Sequence, residues 1–501
     1  MSNSTRAPRS FGRGYLALAA LFSAGLFIAA FQRLYLVSQT QPLPRVSPYD
    51  IPNFDSQARF WKDLRRLFDS NHPGIDPPKI LKKAAVVKFD LETNATRPDV
   101  LFMPEVELRR IRKAHDRVVK RIKSDDHRLK LVYDKDTQGI VSAAGKMFLP
   151  TLVISLRMLR RTGSILPVEV FIASKDEYDP LICEEILPSL NAGCVVASDI
   201  IGSVSQLRLG DHHLKAFALL FSSFEDILWL DADCFPLYEP AKFLSLEPFT
   251  ITGMVTWPAY GVSSTSLAFY DITSWKAPPL FRASSDGAQL AISKRWHEKT
   301  LLLMSYYTYY GPTHYFRLFS QAGSNEGAGE TAIVAASVLG ESFYDVREPI
   351  RALGGHYPDD ERNSEVSAMV QHDPVQDYEN RITSADNKPP LPRALFIHQS
   401  NPKIDLTTLF GPDRHILLAQ QGRANAKSSQ VWTIDNNNKE IQTLQSLGGL
   451  ESDDIECDFW AEVRSVACEL ERRKFTPWEG MVGICERATE YFETIYGSRE
   501  E

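Results

Sequence analysis

With 501 residues, 44% of them apolar and 24% charged, the chain has an ordinary globular makeup and enough apolar material for one large domain or two to three smaller ones. Its net charge of −7 leaves no broad basic surface, which excludes a general nucleic-acid role. Six cysteines without a C-x-x-C pair exclude the usual zinc and thioredoxin-like patterns.

Residues 1–14 carry Arg6, Arg9 and Arg13 and read as a cytosolic tail. Tyr15 to Phe31 holds no charge and, continued through LYLV to Val37, is long enough as a helix to cross a bilayer of about 30 Å. Residues 15–37 are therefore expected to be a transmembrane signal anchor. The alternative, a cleaved signal peptide, would need an unusually long apolar region. The positive flank keeps the N-terminus in the cytosol and sends the rest of the chain to the lumen. Residues 38–128 read as a luminal stalk, rich in proline and polar residues to about Pro78, followed by an accessory helix. That helix, over 103–127, is heavily charged and expected to pack one face and solvate the other.

An α/β alternation follows over 129–415. LKLVY and GIVSAAG read as the first strand and its loop, Lys146 to Arg161 as a helix ended by Gly163, and PVEVFIA as a second strand. Glu177 to Leu190 is a helix candidate, CVVAS a third strand, Leu214 to Phe224 a helix and DILWL a fourth strand. Such alternation predicts a mostly parallel sheet covered on both faces. Beyond Pro240 the pattern turns irregular and aromatic (TWPAYG, SYYTYYG), as suits a substrate-binding half. Residues 416–501 read as a C-terminal extension, helical through 439–496. In an oxidising lumen Cys183 and Cys194 can close a short loop, and two of Cys457, Cys468 and Cys485 can pair; spacing does not fix the connectivity. Asn94-Ala95-Thr96 is a glycosylation sequon on the luminal side.

The chemistry concentrates in EDILWLDADCFPLYEP, where an apolar strand runs into Asp231 and Asp233. Ligands gather at the carboxyl ends of parallel strands, and residues i and i+2 of an extended segment point the same way. Two clustered carboxylates raise each other's pKa unless a cation offsets them, and oxygen ligands suit Mg²⁺ or Mn²⁺. A metal–nucleotide complex is the expected counter-charge, with the ion polarising a departing diphosphate. A second D-x-D, Asp134-Lys135-Asp136, has a charged centre and reads as a solvated loop. His398, leaving a strand-like run in ALFIHQSNPK, is the candidate third ligand, and Lys403 beyond it a candidate phosphate contact. Asp286 in SSDGAQLAISK and Glu330 in SNEGAGETAIVAA are candidate acidic groups near a sugar; first-turn stabilisation of a helix is the other reading of Glu330. Gln371 and Asp373 are polar liners of the same cleft or ordinary turn residues.

Together these segments resemble the fungal-type α-mannosyltransferases of glycosyltransferase family 71. The likeness runs in order through GIVSAAGKMFLPTLVISLRMLRRTGSILPVEVF, HLKAFALLFSSFEDILWLDADCFPLYEP, TGMVTWP, DGAQLAISKRWH, GAGETAIVAASVLG, AMVQHDP and FIHQSNPK, over roughly residues 130–410. The resemblance implies a GT-A, Rossmann-like nucleotide-sugar-binding domain and a Golgi type II membrane enzyme. It also implies GDP-mannose as donor, Mn²⁺ (or Mg²⁺) as cofactor, and transfer of mannose to a glycan acceptor with retention. By motif, Asp231, Asp233 and His398 hold the metal. Lys215, Gln289 and Lys403 join the two aspartates in binding the donor, and Asp286 and Glu330 become the catalytic candidates. The chain departs from the family pattern at Ala259, after Trp257-Pro258, and at Asp286-Gly287-Ala288-Gln289, so acceptor and linkage (α-1,2 or α-1,3) stay open. Two rivals remain: a haloacid-dehalogenase-type phosphatase, which Cys234-Phe235-Pro236 fits poorly, and a catalytically silent glycan-binding or scaffolding subunit of a mannosyltransferase complex.

Overall fold

The computed structural model forms strands from the apolar runs that the sequence marks. It describes residues 53–85, 87–89, 97–124, 126–202, 211–276, 282–321, 326–354, 366–383, 390–399, 403–411, 432 and 452–497. The expected anchor at 15–37 and the sequon at Asn94 lie outside these residues. No helix among the described residues is long and apolar enough to cross a membrane. Residues 47–501 make one unit and residues 1–46 another.

The strands are β1 (Asp134–Ala143), β2 (Val168–Ile172), β3 (Ala192–Val196), β4 (Phe224–Leu230), β5 (Cys234–Pro236), β6 (Met254–Thr256) and β7 (Pro258–Val262). They continue as β8 (Ala283–Ser285), β9 (Gln289–Ser293), β10 (Tyr344–Asp345), β11 (Arg351–Gly354), β12 (Val366–His372) and β13 (Ala394–Gln399). A seven-stranded sheet has the order β10-β6-β9-β4-β1-β2-β3. Its β4-β1-β2-β3 part is parallel, as is the β10–β6 pair, whereas β9 runs antiparallel to both β4 and β6. The sheet is thus mixed and mostly parallel.

Consecutive strand residues serve opposite cores, which is why these strands read as unbroken apolar runs. Leu228 and Leu230 face one cluster and Ile227 and Trp229 the other; Val170 and Phe171 divide in the same way. The first cluster is covered by α3 (Leu149–Arg161), α8 (Ser452–Arg472) and α9 (Ile484–Tyr496). Against the second pack α1 (Phe54–Asp69), α2 (Glu105–Lys123), α4 (Asp211–Phe221), α5 (Lys294–Tyr309) and α6 (Thr331–Leu339). A four-stranded antiparallel sheet, β11-β12-β13-β5, stands beside the large one, with α7 (Pro374–Thr383) following β12.

Several expectations change in detail. The first strand is not LKLVY: residues 130–133 are irregular and the strand begins at Asp134. Asp134 to Asp136 are exposed, as expected, but on the frayed outer end of β1, where the register with β4 slips and Asp136 takes φ 59°. The stretch to Pro78 is not an unpacked tether, because from Phe54 it forms α1, whose Phe60, Trp61, Leu64 and Phe68 repeat at helical spacing and are buried. The charged helix is α2, with Ile111, Ala114, His115, Val118 and Ile122 buried along one face. The cysteines resolve into Cys183–Cys194 and Cys468–Cys485, with Cys234 and Cys457 outside any disulfide.

Candidate active site

The chain leaves the large sheet at Leu230 and enters the small one at Cys234. Asp231, Ala232 and Asp233 are the step between them. They are not extended, as the i, i+2 argument assumed. They form a turn closed by the Cys234 N–H donating to the Asp231 carbonyl at 3.0 Å, because the strand must change sheets there. The turn still brings both carboxylates together, and β13 supplies the third group. Its His398 pairs in register with Cys234, placing Nε2 3.4 Å from Asp233 Oδ1. One ligand atom from each of Asp231, Asp233 and His398 lies within 4.8 Å of the others.

The electrostatics call for a cation. Burial, helped by Asp233, pushes the Asp231 carboxyl up to about 6 against the pull of Lys215 and His398. Burial disfavours a charged His398, yet the hydrogen bond to Asp233 and the fields of Asp286 and Asp231 outweigh it and lift the imidazole to about 9. His398 Nδ1 is buried without a hydrogen-bond partner and stands 4.0 Å from Asp286 Oδ1. Two oxygens and a nitrogen gathered with more negative than positive charge around them fit a divalent ion such as Mn²⁺ or Mg²⁺.

Asp231 and Asp233, though not His398, line a cavity of about 620 Å³ together with Lys215, Asp286 and Glu330. Lys215, on α4, lies over the Trp229 ring at 5.4 Å and donates to the Gly287 carbonyl at 2.5 Å. Burial lowers its pKa, with Asp231 and Asp286 opposing. Trp229 in turn donates Nε1–H to Asp231 Oδ1 at 2.7 Å. Asp286 sits in the β8–β9 turn. Its Oδ1 accepts from the Ala288 N–H at 3.0 Å, and its Oδ2 accepts 2.9 Å bonds from Gln289 and Gln371. Gln289, expected at the donor, is 1% exposed and instead braces Asp286, because as the first residue of β9 it points into the sheet junction. Gln371 has the same bracing role; Asp373 turns away, taking Arg393 and the Val375 N–H at the start of α7.

Glu330 does precede α6, but its carboxylate makes no cap bond. It pairs with Arg282 and accepts the Ser285 N–H at 2.6 Å. Asp345 completes this second charged group, its carboxyl pushed up to about 6 by burial while Arg282 and Thr256 pull it back. The Gly287 and Gly329 backbones cross here; a Cβ on Gly329 would lie 2.9 Å from the Ser285 carbonyl oxygen, so only glycine admits the close approach. Lys403 is exposed and does not line the cavity. The Ile404 carbonyl after it accepts from the lining residue Thr151. Sequence reasoning missed Trp229, Arg282 and Tyr260. Trp229 carried a signal, since in a strand it shares a face with Asp231; Arg282, 48 residues before Glu330, carried none.

A carboxylate-histidine cluster just beyond a strand end, beside a cavity lined by acidic groups and a lysine, has the donor set that a divalent ion takes. The family described as "Mannosyltransferase putative" matches residues 137–282 and 276–373, the segment that holds all of these residues except His398 and Lys403. Over this segment the chain is similar to that family. Alpha-1,2-mannosyltransferase MNN24 of Candida albicans is 36% identical over 48% of this chain and 38% of its own length. Alpha-1,2-mannosyltransferase MNN2 of Saccharomyces cerevisiae is 34% identical over 52% of this chain and 51% of its own, so the matched part spans only about half or less of these two relatives. Alpha-1,2-mannosyltransferase MNN22 of Candida albicans is 25% identical over 90% of this chain and 87% of its own. Among solved structures, galactosyltransferase LgtC with donor and acceptor sugar analogs aligns at 11% identity over 42% of this chain and 73% of that one, with a TM-score of 0.28, too loosely to carry an argument.

Proposed function

We propose that the protein is a metal-dependent, retaining α-1,2-mannosyltransferase that moves mannose from GDP-mannose to a mannoside or glycan acceptor. The family and the names of the relatives support the sugar and the linkage. The observation that carries the reading is the Asp231–Asp233–His398 cluster, within 4.8 Å, whose two carboxylates line the cavity. These three residues would hold the ion, Mn²⁺ or Mg²⁺, which neutralises charge on the diphosphate. Lys215, fixed between Asp231 and Asp286, adds positive charge on the same side, and Trp229 holds Asp231 in place. Asp286 and Glu330 face the space a sugar would fill. Each is already hydrogen-bonded, which suits orientation of sugar hydroxyls and stabilisation of a cationic sugar carbon. The mixed sheet with an acidic turn beyond its central strand fits a GT-A-type domain. The apolar N-terminal stretch and the two disulfides favour a type II protein with this domain in the Golgi lumen, where a mannosyltransferase complex is a fitting partner.

The test is transfer from labelled GDP-mannose to α-mannobiose with Mn²⁺. Asp231→Asn keeps an acceptor for the Trp229 N–H, so it is expected to melt like the wild type while transfer falls by roughly a hundredfold or more. Chelation should have the same effect. Full transfer by Asp231→Asn would remove the metal assignment, and a wild type that neither transfers nor hydrolyses GDP-mannose would remove the function.

A further inference from the structure

The antiparallel β7–β8 pair also lines the cavity. There Tyr260 is 39% exposed and lines the cavity. It stands three residues beyond Trp257, whose carbonyl accepts the Asp286 N–H at 2.8 Å; in extended chain that spans about 10 Å. Open aromatic area of this kind inside a cavity marks a binding surface more often than a packing one.

The ring is braced from a part of the chain that precedes the α/β alternation. The Phe89 N–H donates to the Tyr260 carbonyl at 2.9 Å, the Val262 N–H donates to the Val87 carbonyl at 2.8 Å, and Lys88 bridges to Gly261. Lys88 Nζ lies 5.3 Å over the Tyr260 ring, so one face is covered and a ligand has the other. The same cavity is lined by the small residues Ala85, Ala259 and Gly261 and by the hydroxyl-bearing Ser264 and Ser284. Small walls leave room for a flat ligand. Ser284 donates to the Gly261 carbonyl at 2.9 Å and keeps its lone pairs as acceptors, and Ser264 accepts from the Gln321 N–H at 3.0 Å and keeps its O–H as a donor. A pyranose matches this surface, with C–H groups on a face and hydroxyls around the rim.

We propose that Tyr260 is the platform on which the acceptor mannoside stacks, within reach of the donor sugar beside Asp286. This rests on the mannosyltransferase reading above and deepens it by assigning the acceptor's place. The full chain in detergent is compared as wild type, Tyr260→Ala and Tyr260→Phe, with far-UV circular dichroism to confirm folding. The Tyr260 hydrogen bonds that brace β7 are main-chain bonds and survive both changes. Tyr260→Ala should raise the KM for α-mannobiose by roughly tenfold or more with a far smaller change in kcat, and Tyr260→Phe should keep a near-normal KM. Methyl α-mannoside is also followed by saturation-transfer NMR without donor; its signal should persist in Tyr260→Phe and vanish in Tyr260→Ala. An unchanged acceptor KM in Tyr260→Ala overturns the proposal while leaving the enzyme reading intact. If the wild type does not turn over GDP-mannose, the enzyme reading fails and the NMR comparison alone decides: equal signals in wild type and Tyr260→Ala, or none in the wild type, overturn the platform.

Discussion

His372, the last residue of β12, is fully buried with neither ring nitrogen hydrogen-bonded. Burial, helped by the nearby Arg351 charge, pushes its pKa down to about 3. The native ring therefore stays neutral while an unfolded chain protonates near 6.5. A depressed pKa contributes stability that is present above 6.5 and is lost as pH falls toward 3, because in that window the unfolded state binds the extra proton. From pH 7 to pH 5 the loss from this residue is about 2 kcal/mol. His372→Leu should flatten that part of the pH–stability curve in urea titrations. Its main-chain carbonyl, which accepts from Trp257 Nε1 at 2.9 Å, is untouched by the change. The raised Asp231 and Asp345 carboxyls act in the opposite sense over this window, so the difference between wild type and variant is what isolates the ring. Equal slopes between pH 7 and pH 5 would show that His372 is protonated in the fold. The neighbouring Gln371 points the other way, toward Asp286, so one step along β12 separates a group that braces the site from one that serves the core.

At the scale of elements, the C-terminal helices support the strand that carries His398. α8 and α9 are joined by Cys468–Cys485. α8 packs on α3, with Arg157 paired to Glu462 and Glu469 and Arg161 to Asp458 and Glu462. From the same region Trp432 stacks near Phe459 and donates Nε1–H to Gln399 Oε1 at 2.6 Å. Gln399 follows His398, and its own N–H donates to the Asp233 carbonyl at 3.0 Å, so the far end of the chain braces the turn that holds the carboxylates. The disulfide closes a separation of 17 residues, for which loop-closure entropy gives ~3 kcal/mol of stabilisation. Cys468→Ser with Cys485→Ser should lower the first thermal transition, and a reductant should lower that of the wild type by more than that of the double variant, in which only Cys183–Cys194 is left to reduce. A wild type that melts identically with and without reductant would separate this bond from the stability of the helix pair.

At the scale of the molecule, the segment before β1 belongs to the folded unit. Trp61 meets Phe217 and Phe221 edge-on at 5.3 and 5.9 Å. Gln57 Nε2 donates to the Val132 and Phe221 carbonyls at 3.0 and 3.1 Å. A chain begun at residue 129 leaves that aromatic surface bare and is expected to aggregate on expression. A chain begun at residue 47 keeps α1 and α2 and should be soluble and melt cooperatively. Soluble, cooperatively melting protein from the shorter form would show α1 and α2 to be dispensable. The segment also reaches the cavity, since residues 87–89 run beside β7. For that reason the start of the α/β alternation in sequence is not the start of the functional unit.

How much was legible follows from what each signal depends on. Three strands of the parallel sheet, β2, β3 and β4, the helices between them and the acidic turn were readable because burial on both faces writes long apolar runs, and a pair of aspartates at the end of one such run has few structural uses. β1 was not, since LKLVY reads as the strand and GIVSAAG, which holds its inner half, as a loop. The residue set Asp231, Asp233 and His398 followed from the sequence as well. What only the tertiary structure decided is how distant segments meet: the crossing from one sheet to the other that turns both carboxylates inward, the pairing of β5 with β13 that delivers His398, the Arg282–Glu330 ion pair, and the bracing of Tyr260 from residues 87–89. Local propensity and periodicity act over a few residues, whereas these contacts depend on strand order and register across tens to hundreds of residues, which no short stretch of sequence encodes by itself.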